Sequence, residues 1–391
     1  SNPSDGRLRG AKSGQWWMDN PQRALANNSA CYTERPEFDF FLYEMRALYE
    51  SKIGELGIFS REAAQNIAGR NGRRDPAQDF GTNPCSEIIL RPNQFCNLSE
   101  VVVRAEDTLD DLKRKVELAT ILGTLQATLT DFRYLRSIWK KNTEEEALLG
   151  VSLTGIMDHE VMSGQAQTEQ LKEWLQTLKE TAIATNKKWA KKLGIEPAAA
   201  ITCVKPSGTV SQLVNSASGI HPRFSPYYIR TVRADRKDPM AQYMVEAGFP
   251  HEVDVTKDSN WVFSFPVASP HGAVCTKEVG AMEQLKLWAT YQEHWCEHKP
   301  SITVYYSPDE FLHVAGWVWD NFDSVSGISL LPHSDHVYQQ APYQEIDQEK
   351  YIDLLADMPT FDWQLMSLYE SGDQTIGSQE LACAGGACEL P

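Results

Sequence analysis

Long stretches of helical periodicity alternate along this chain with short β-branched and aliphatic runs. That alternation limits the fold to an α/β architecture with parallel strands. Phe38 to Gly69, Thr108 to Leu129, Thr168 to Leu193 and Lys277 to Glu297 repeat apolar positions at helical spacing. The strand candidates are Ala199 to Val204, Tyr227 to Val232, Trp261 to Val267, Ser301 to Tyr306 and Ile328 to Leu331. At 391 residues with interspersed charge, the chain is long enough to bury a large core, and it carries no internal repeat. Past Trp363 the text turns to small polar residues, Ser371 to Gln379, and closes on Cys383 and Cys388. The expected organisation is a body over residues 1–369 and a flexible dithiol tail over 370–391.

A net charge of −16 excludes a surface that coats nucleic acid, though it allows a local basic pocket. Arg223, Arg230, Arg233 and Arg236 are candidates for such a pocket, and equally for a solvated strand face. Eight cysteines are too sparse for a disulfide scaffold, and no apolar run reaches the length of a bilayer span. The opening residues Ser1 to Gly6 are polar and resemble no leader, so a cytoplasmic protein is expected.

The chemistry-bearing residues concentrate in Asn83-Pro84-Cys85-Ser86-Glu87 and, eleven residues after the first cysteine, Cys96-Asn97-Leu98. Ser86 to Leu90 and Leu98 to Val103 read as extended arms, with turn residues Arg91 to Gln94 between them. In an extended arm Cys85 and Glu87 share a face, where a thiol and a general base could flank one substrate. The plainer reading is that both cysteines are small buried hydrophobes. A second block, Lys205-Pro206-Ser207-Gly208-Thr209-Val210-Ser211, follows a strand-like run and leads into a helix start, where backbone N–H groups bind anions. Cys296, His298, His294, His333 and His336 offer metal ligands without a tight Cys-x-x-Cys pair, which argues against zinc. Cys203 and Cys275 carry no motif and read as core residues.

Asn83 to Glu87 with Phe95-Cys96-Asn97-Leu98 resembles the finger loop of ribonucleotide reductases. Pro206, Ser207, Gly208, Thr209 and Val210 resemble the substrate-phosphate loop of that family, and Cys383-Ala-Gly-Gly-Ala-Cys388 its mobile dithiol tail. The resemblance implies a ten-stranded α/β barrel of the reductase and glycyl-radical superfamily, with the finger loop, about residues 83–98, through its centre. The adjacent tyrosine pair of the oxygen-dependent branch is missing from Asp335 to Tyr343, and no glycyl-radical motif stands in Gly377 to Pro391. Tyr227-Tyr228 is adjacent but reads as strand packing. Gly219 to Arg230 and the terminal cysteine pair resemble the monomeric, adenosylcobalamin-dependent ribonucleoside-triphosphate reductases, which implies triphosphate substrates.

Carried onto matching positions, the resemblance implies that Cys85 holds a transient thiyl radical that takes the ribose 3′-hydrogen. Glu87 takes the 3′-hydroxyl proton, Asn83 hydrogen-bonds the substrate near the departing 2′-hydroxyl, and Cys96 is a redox thiol. Cys383 and Cys388 would regenerate it, reduced in turn by thioredoxin. The family's partner for Cys96 lies well upstream, and Cys31, the sole upstream cysteine here, is not at that position. The expectation is therefore the C-terminal portion of the barrel, incomplete by itself and completed by an N-terminal reductase fragment. The rival from a different class is an inactive regulatory or scaffold subunit of a split reductase.

Overall fold

Helices and strands alternate along most of the chain in the computed structural model, which describes residues 5–12, 21–23, 28–52, 54, 56–166, 168–255, 257–333 and 340–370. The strands are β1 (Ser29–Tyr32), β2 (Gly57–Ser60), β3 (Gly81–Thr82), β4 (Ile89–Leu90), β5 (Asn97–Val102), β6 (Leu149–Thr154) and β7 (Thr202–Cys203), then β8 (Tyr227–Asp235), β9 (His251–Val253), β10 (Asn260–Ala268), β11 (Thr303–Tyr306), β12 (Ser329–Pro332) and β13 (Tyr343–Glu345). The chain divides into two compact units, Ser1–Pro222 with Gly272–His333, and Arg223–His271 with Ser334–Pro391.

In the first unit β5, β6 and β7 form a parallel sheet, and β1–β2 and β11–β12 form parallel pairs. Isolated bridges stitch them: Val204 to Pro300 in parallel, and Ile58 to Ile328 antiparallel. The resulting run is β5-β6-β7, β11-β12, β2-β1, seven strands whose last two oppose the other five. All six residues of β6 are buried, as a strand covered on both faces requires. The helix Thr168–Leu193 buries Leu171, Leu175, Leu178, Ala182 and Ala190, a stripe at helical spacing, and packs against the helix Leu109–Gln126, which lies on β5 and β6. The helix Leu109–Gln126 starts on Thr108 and Asp111, whose side chains and backbone N–H groups cap one another.

Several expectations change here. The apparent helix over Phe38 to Gly69 is two helices, Phe38–Ser51 and Arg61–Gly69, with β2 between them. Lys52, in the left-handed region at φ 54°, ends the first helix, and the Ser60 hydroxyl, accepting from the Ala63 N–H at 3.1 Å, starts the second. The helix expected over Lys277 to Glu297 occupies Ala281–His294, and the strand expected over Ala199 to Val204 contracts to Thr202–Cys203.

The second unit departs from the parallel expectation altogether. Its strands order as β13-β8-β10-β9, every neighbour antiparallel, with β8 and β10 paired over nine residues. Tyr227 and Tyr228 pack in β8 against Tyr351 and Tyr343. The arginines do not converge on a pocket, because Arg230 and Arg233 sit at odd separation on one strand and face opposite sides. The Arg230 guanidinium stacks on Tyr343, Arg236 stacks on Trp261, and Arg233 pairs with Asp254 at 3.3 Å.

Candidate active site

A hairpin joins β3 to β4 and carries Asn83, Cys85 and Glu87 at its tip. This corrects the expected geometry. Cys85 and Glu87 do not share a strand face, because residues 83–88 form a turn rather than an extended arm. Nor is Cys96 on the second arm of that hairpin: β4 pairs back with β3, while Cys96 stands just ahead of β5, which joins β6 instead.

The tip is built from short-range bonds. The Ser86 N–H donates to the Asn83 carbonyl at 3.0 Å, and the Asn83 side-chain oxygen accepts from the Ile88 N–H at 3.0 Å. Ser86 takes φ 67°, a left-handed conformation that is uncommon for a residue with a side chain and clusters at functional turns. Cys85 is half-buried, while Glu87, two residues on, is wholly buried.

The Glu87 carboxylate receives the Lys205 ammonium on Oε1 at 3.3 Å, and its Oε2 has no hydrogen-bond partner among the described residues. An unsatisfied, buried carboxylate oxygen is costly, and such atoms mark places where another group binds. Burial pushes the Cys96 thiol up, the Glu87 charge adds to this, and the Arg74 guanidinium opposes it. Cys203 is buried as expected, yet it also faces the site: after burial, the Glu87 charge is the next cause raising its thiol. Gly150 on β6 makes room for this cluster. A Cβ there would lie 2.4 Å from the Leu98 side chain, 3.0 Å from that of Ile88 and 3.3 Å from Cys96 Sγ.

Lys205 joins this cluster to the loop that follows β7, so the structure brings the first two sequence motifs together. Ser207 is buried, and its hydroxyl donates to Glu100 on β5 at 2.6 Å. Burial pushes Glu100 up toward its neutral form, the Ser207 hydrogen bond and the Lys205 charge opposing and the Glu87 charge adding. Pro206 precedes a single short helix, Gly208–Leu213, whose first turn contains Thr209 and the exposed Val210. Gly219, at φ 55°, lies against this loop, where a Cβ would come within 2.3 Å of the Lys205 carbonyl oxygen. Arg104 donates to the Val214 and Asn215 carbonyls at 2.7 and 3.0 Å, closing the far end of the helix.

Sequence reading offered His298 only as a metal ligand and passed over Lys299; both lie beneath the hairpin. The Ile89 N–H donates to His298 Nδ1 at 3.3 Å, so Nε2 carries the proton and donates to the Leu149 carbonyl at 2.9 Å. Burial drives this imidazole down to about 3, the Arg74 charge adding. Burial likewise pushes Lys299 down to about 7, with Glu87 and Cys31 opposing. The available signal was two ionisable residues directly ahead of an apolar strand.

His298 gives a pH prediction. Its folded value lies below the ordinary 6.5, so the unfolded chain binds the extra proton between pH 6.5 and about 3. Its contribution to stability is present above 6.5 and is lost on acidification, by up to about 1.4 kcal/mol per pH unit in that window. Urea unfolding from pH 7 to pH 4 should show a shallower loss in His298→Gln than in the natural chain. Parallel curves would remove His298 as the cause.

Among the described residues no three His, Cys, Asp or Glu side chains converge as metal ligands, and His336 lies outside the described residues. Cys383 and Cys388 lie outside them as well, as does most of the Asp335 to Tyr343 stretch. No described helix is long and apolar enough to cross a membrane.

This arrangement, a thiol and a buried carboxylate on one hairpin beside the loop that follows β7, occurs in a fold shared with ribonucleotide reductases. A crystal structure of a B12-dependent (class II) ribonucleotide reductase superposes with TM-score 0.72, at 21% identity, over 95% of this chain and 55% of its own. The alpha subunit of the Actinobacillus ureae class Id ribonucleotide reductase superposes at 0.52, with 13% identity. By sequence the chain is homologous to adenosylcobalamin-dependent ribonucleoside-triphosphate reductases over about nine-tenths of its length. It is 30% identical to that of Lacticaseibacillus paracasei over 406 aligned positions, 94% of this chain and 53% of the relative. It is 28% identical to that of Euglena gracilis, over 86% of this chain and 46% of the relative. The chain thus spans about half the length of the curated relatives it matches. No family model matches it.

Proposed function

We propose that this chain is the part of an adenosylcobalamin-dependent ribonucleoside-triphosphate reductase that carries its radical loop. The observation that carries the reading is the hairpin tip, where Cys85 stands half-buried and Glu87 keeps a buried oxygen without a hydrogen-bond partner among the described residues, its charge raising the Cys96 and Cys203 thiols. The residues fit a cofactor that acts on a thiol, since Cys85 is partly open to solvent at the tip and stands two residues from a buried carboxylate. When bound, adenosylcobalamin supplies a carbon radical able to take the thiol hydrogen.

In this reading the Cys85 thiyl removes the ribose 3′-hydrogen and Glu87 holds the 3′-hydroxyl proton. Asn83 lies on the substrate side of the tip, and Cys96 with a partner thiol on the N-terminal fragment supplies two protons and two electrons as the 2′-hydroxyl leaves as water, the two thiols ending as a disulfide. The triphosphate sits on the loop from Pro206 to Val210, with Lys205 between it and Glu87. Electrons reach Cys96 through Cys383 and Cys388 from thioredoxin, by exchange between thiols and disulfides.

The superfamily's ten-stranded barrel would then be completed by strands outside the seven described here. Among the described residues β5 and β1 each pair on one edge only, and open edges of this kind call for a partner. The test is reduction of ribonucleoside triphosphates by the protein containing this chain, with adenosylcobalamin and a dithiol. Deoxynucleoside triphosphate should form only when the cofactor is added. A fully assembled protein that binds nucleotide and forms no product would leave a scaffold role in its place.

A further inference from the structure

Two consecutive residues hold the hairpin tip from beneath, and their bonds fall on the residues that flank its chemistry. The Lys299 ammonium donates to the Ser86 hydroxyl at 3.0 Å, the Lys299 backbone N–H donates to the Glu87 carbonyl at 3.2 Å, and His298 accepts from the Ile89 N–H. Lys299 is wholly buried. Among the described residues it forms no ion pair within salt-bridge distance; its ammonium also donates to the Ser326 carbonyl at 3.2 Å and lies over the Phe59 ring at 4.6 Å. Burying an ammonium without a paired charge is expensive, and a methionine of similar length would fill the same space without that cost. What the ammonium adds is therefore its bonds. Gly327 opens the space they need, because a Cβ there would stand 2.8 Å from Lys299 Nζ and 2.7 Å from Ser86 Oγ.

We infer that Lys299 is a positioning residue of the radical loop, whose ammonium locks Ser86 in its left-handed turn and so fixes Cys85 at the tip relative to the buried Glu87. The inference rests on the reductase reading for its functional meaning, but the lock is a property of the chain alone. Strain at Ser86 persists only where surrounding bonds over-determine the backbone, and here the side chain and the following carbonyl are both tied to one lysine. Releasing the side chain lets the tip sample other turns, and a thiol displaced by about 1 Å loses the alignment that hydrogen transfer requires.

The experiment compares Lys299→Met and Ser86→Ala with the natural protein. Alkylation of Cys85 by iodoacetamide, measured by mass spectrometry and scaled to labelling of the denatured protein, should rise about threefold or more in both variants as the tip opens. Thermal stability of Lys299→Met should hold or increase. In nucleotide reduction kcat should fall about tenfold while KM stays within about twofold, the pattern of lost alignment rather than lost binding. Unchanged Cys85 labelling in both variants overturns the inference, and if Lys299→Met does not fold, Ser86→Ala decides it alone. Labelling needs no turnover, so a natural protein without reductase activity would sink the reductase reading while leaving this result interpretable.

Discussion

Cys85→Ser is expected to abolish nucleotide reduction by the enzyme that contains this chain, by about 10⁴-fold or more, with little change in stability. The two halves of that expectation come from different observations. Serine is nearly the same size as cysteine, and the side chain is half-buried at a turn, so the substitution opens no sizeable cavity. The chemistry is another matter, because an S–H bond is weak enough to exchange hydrogen reversibly with a ribose carbon and an O–H bond is not. A serine at the tip can neither be activated nor return the hydrogen at the end of the cycle. Chromatographic measurement of deoxynucleotide formed under saturating cofactor checks this. Residual turnover above about one part in a hundred would remove Cys85 from the radical step. If Cys85 were merely a small hydrophobe, the substitution would be silent in both measurements.

The sequence made some of this legible for reasons that can be stated residue by residue. The helix Thr168–Leu193 was readable because Leu171, Leu175, Leu178 and Ala182 keep one face apolar over a length no strand reaches. The fold around it was partly hidden. Gly57–Ser60 is only four residues long and is flanked by helices of matching periodicity, so β2 vanished into them. The strands β8 and β10 are apolar enough to pass for buried parallel strands, and nothing local records that they pair antiparallel in a second unit. At the site, the residues of the finger loop were legible through spacing and resemblance, whereas their geometry was not. A serine at φ 67° leaves no mark in the sequence, since the conformation is imposed by Lys299, more than 200 positions away. Separations of 107 and 118 positions likewise concealed Glu100 and Lys205, whose roles exist only once β5 and the loop after β7 stand beside the hairpin.

Glu87→Gln tests the other half of the loop, and its expected effect is a fall in kcat of about 10²- to 10⁴-fold, the range of a lost general base. Glutamine preserves shape and can still accept from Lys205, so the change isolates the ability to take a proton. The ion pair itself contributes modestly, because Lys205 is 31% exposed and remains hydrated without its partner, a loss of roughly 1 kcal/mol at most. A second readout separates charge from structure. After burial, the Glu87 charge is the next cause holding the Cys96 thiol up, so neutralising it lowers that thiol and increases the thiolate present at a given pH. Alkylation of Cys96, scaled to that of the denatured protein, should therefore be faster in Glu87→Gln. Slower turnover with faster Cys96 labelling is the signature of a carboxylate that faces both substrate and redox thiol. Turnover reduced less than about tenfold would mean that the proton leaves by another route, and that the buried Oε2 of Glu87 serves binding rather than base catalysis.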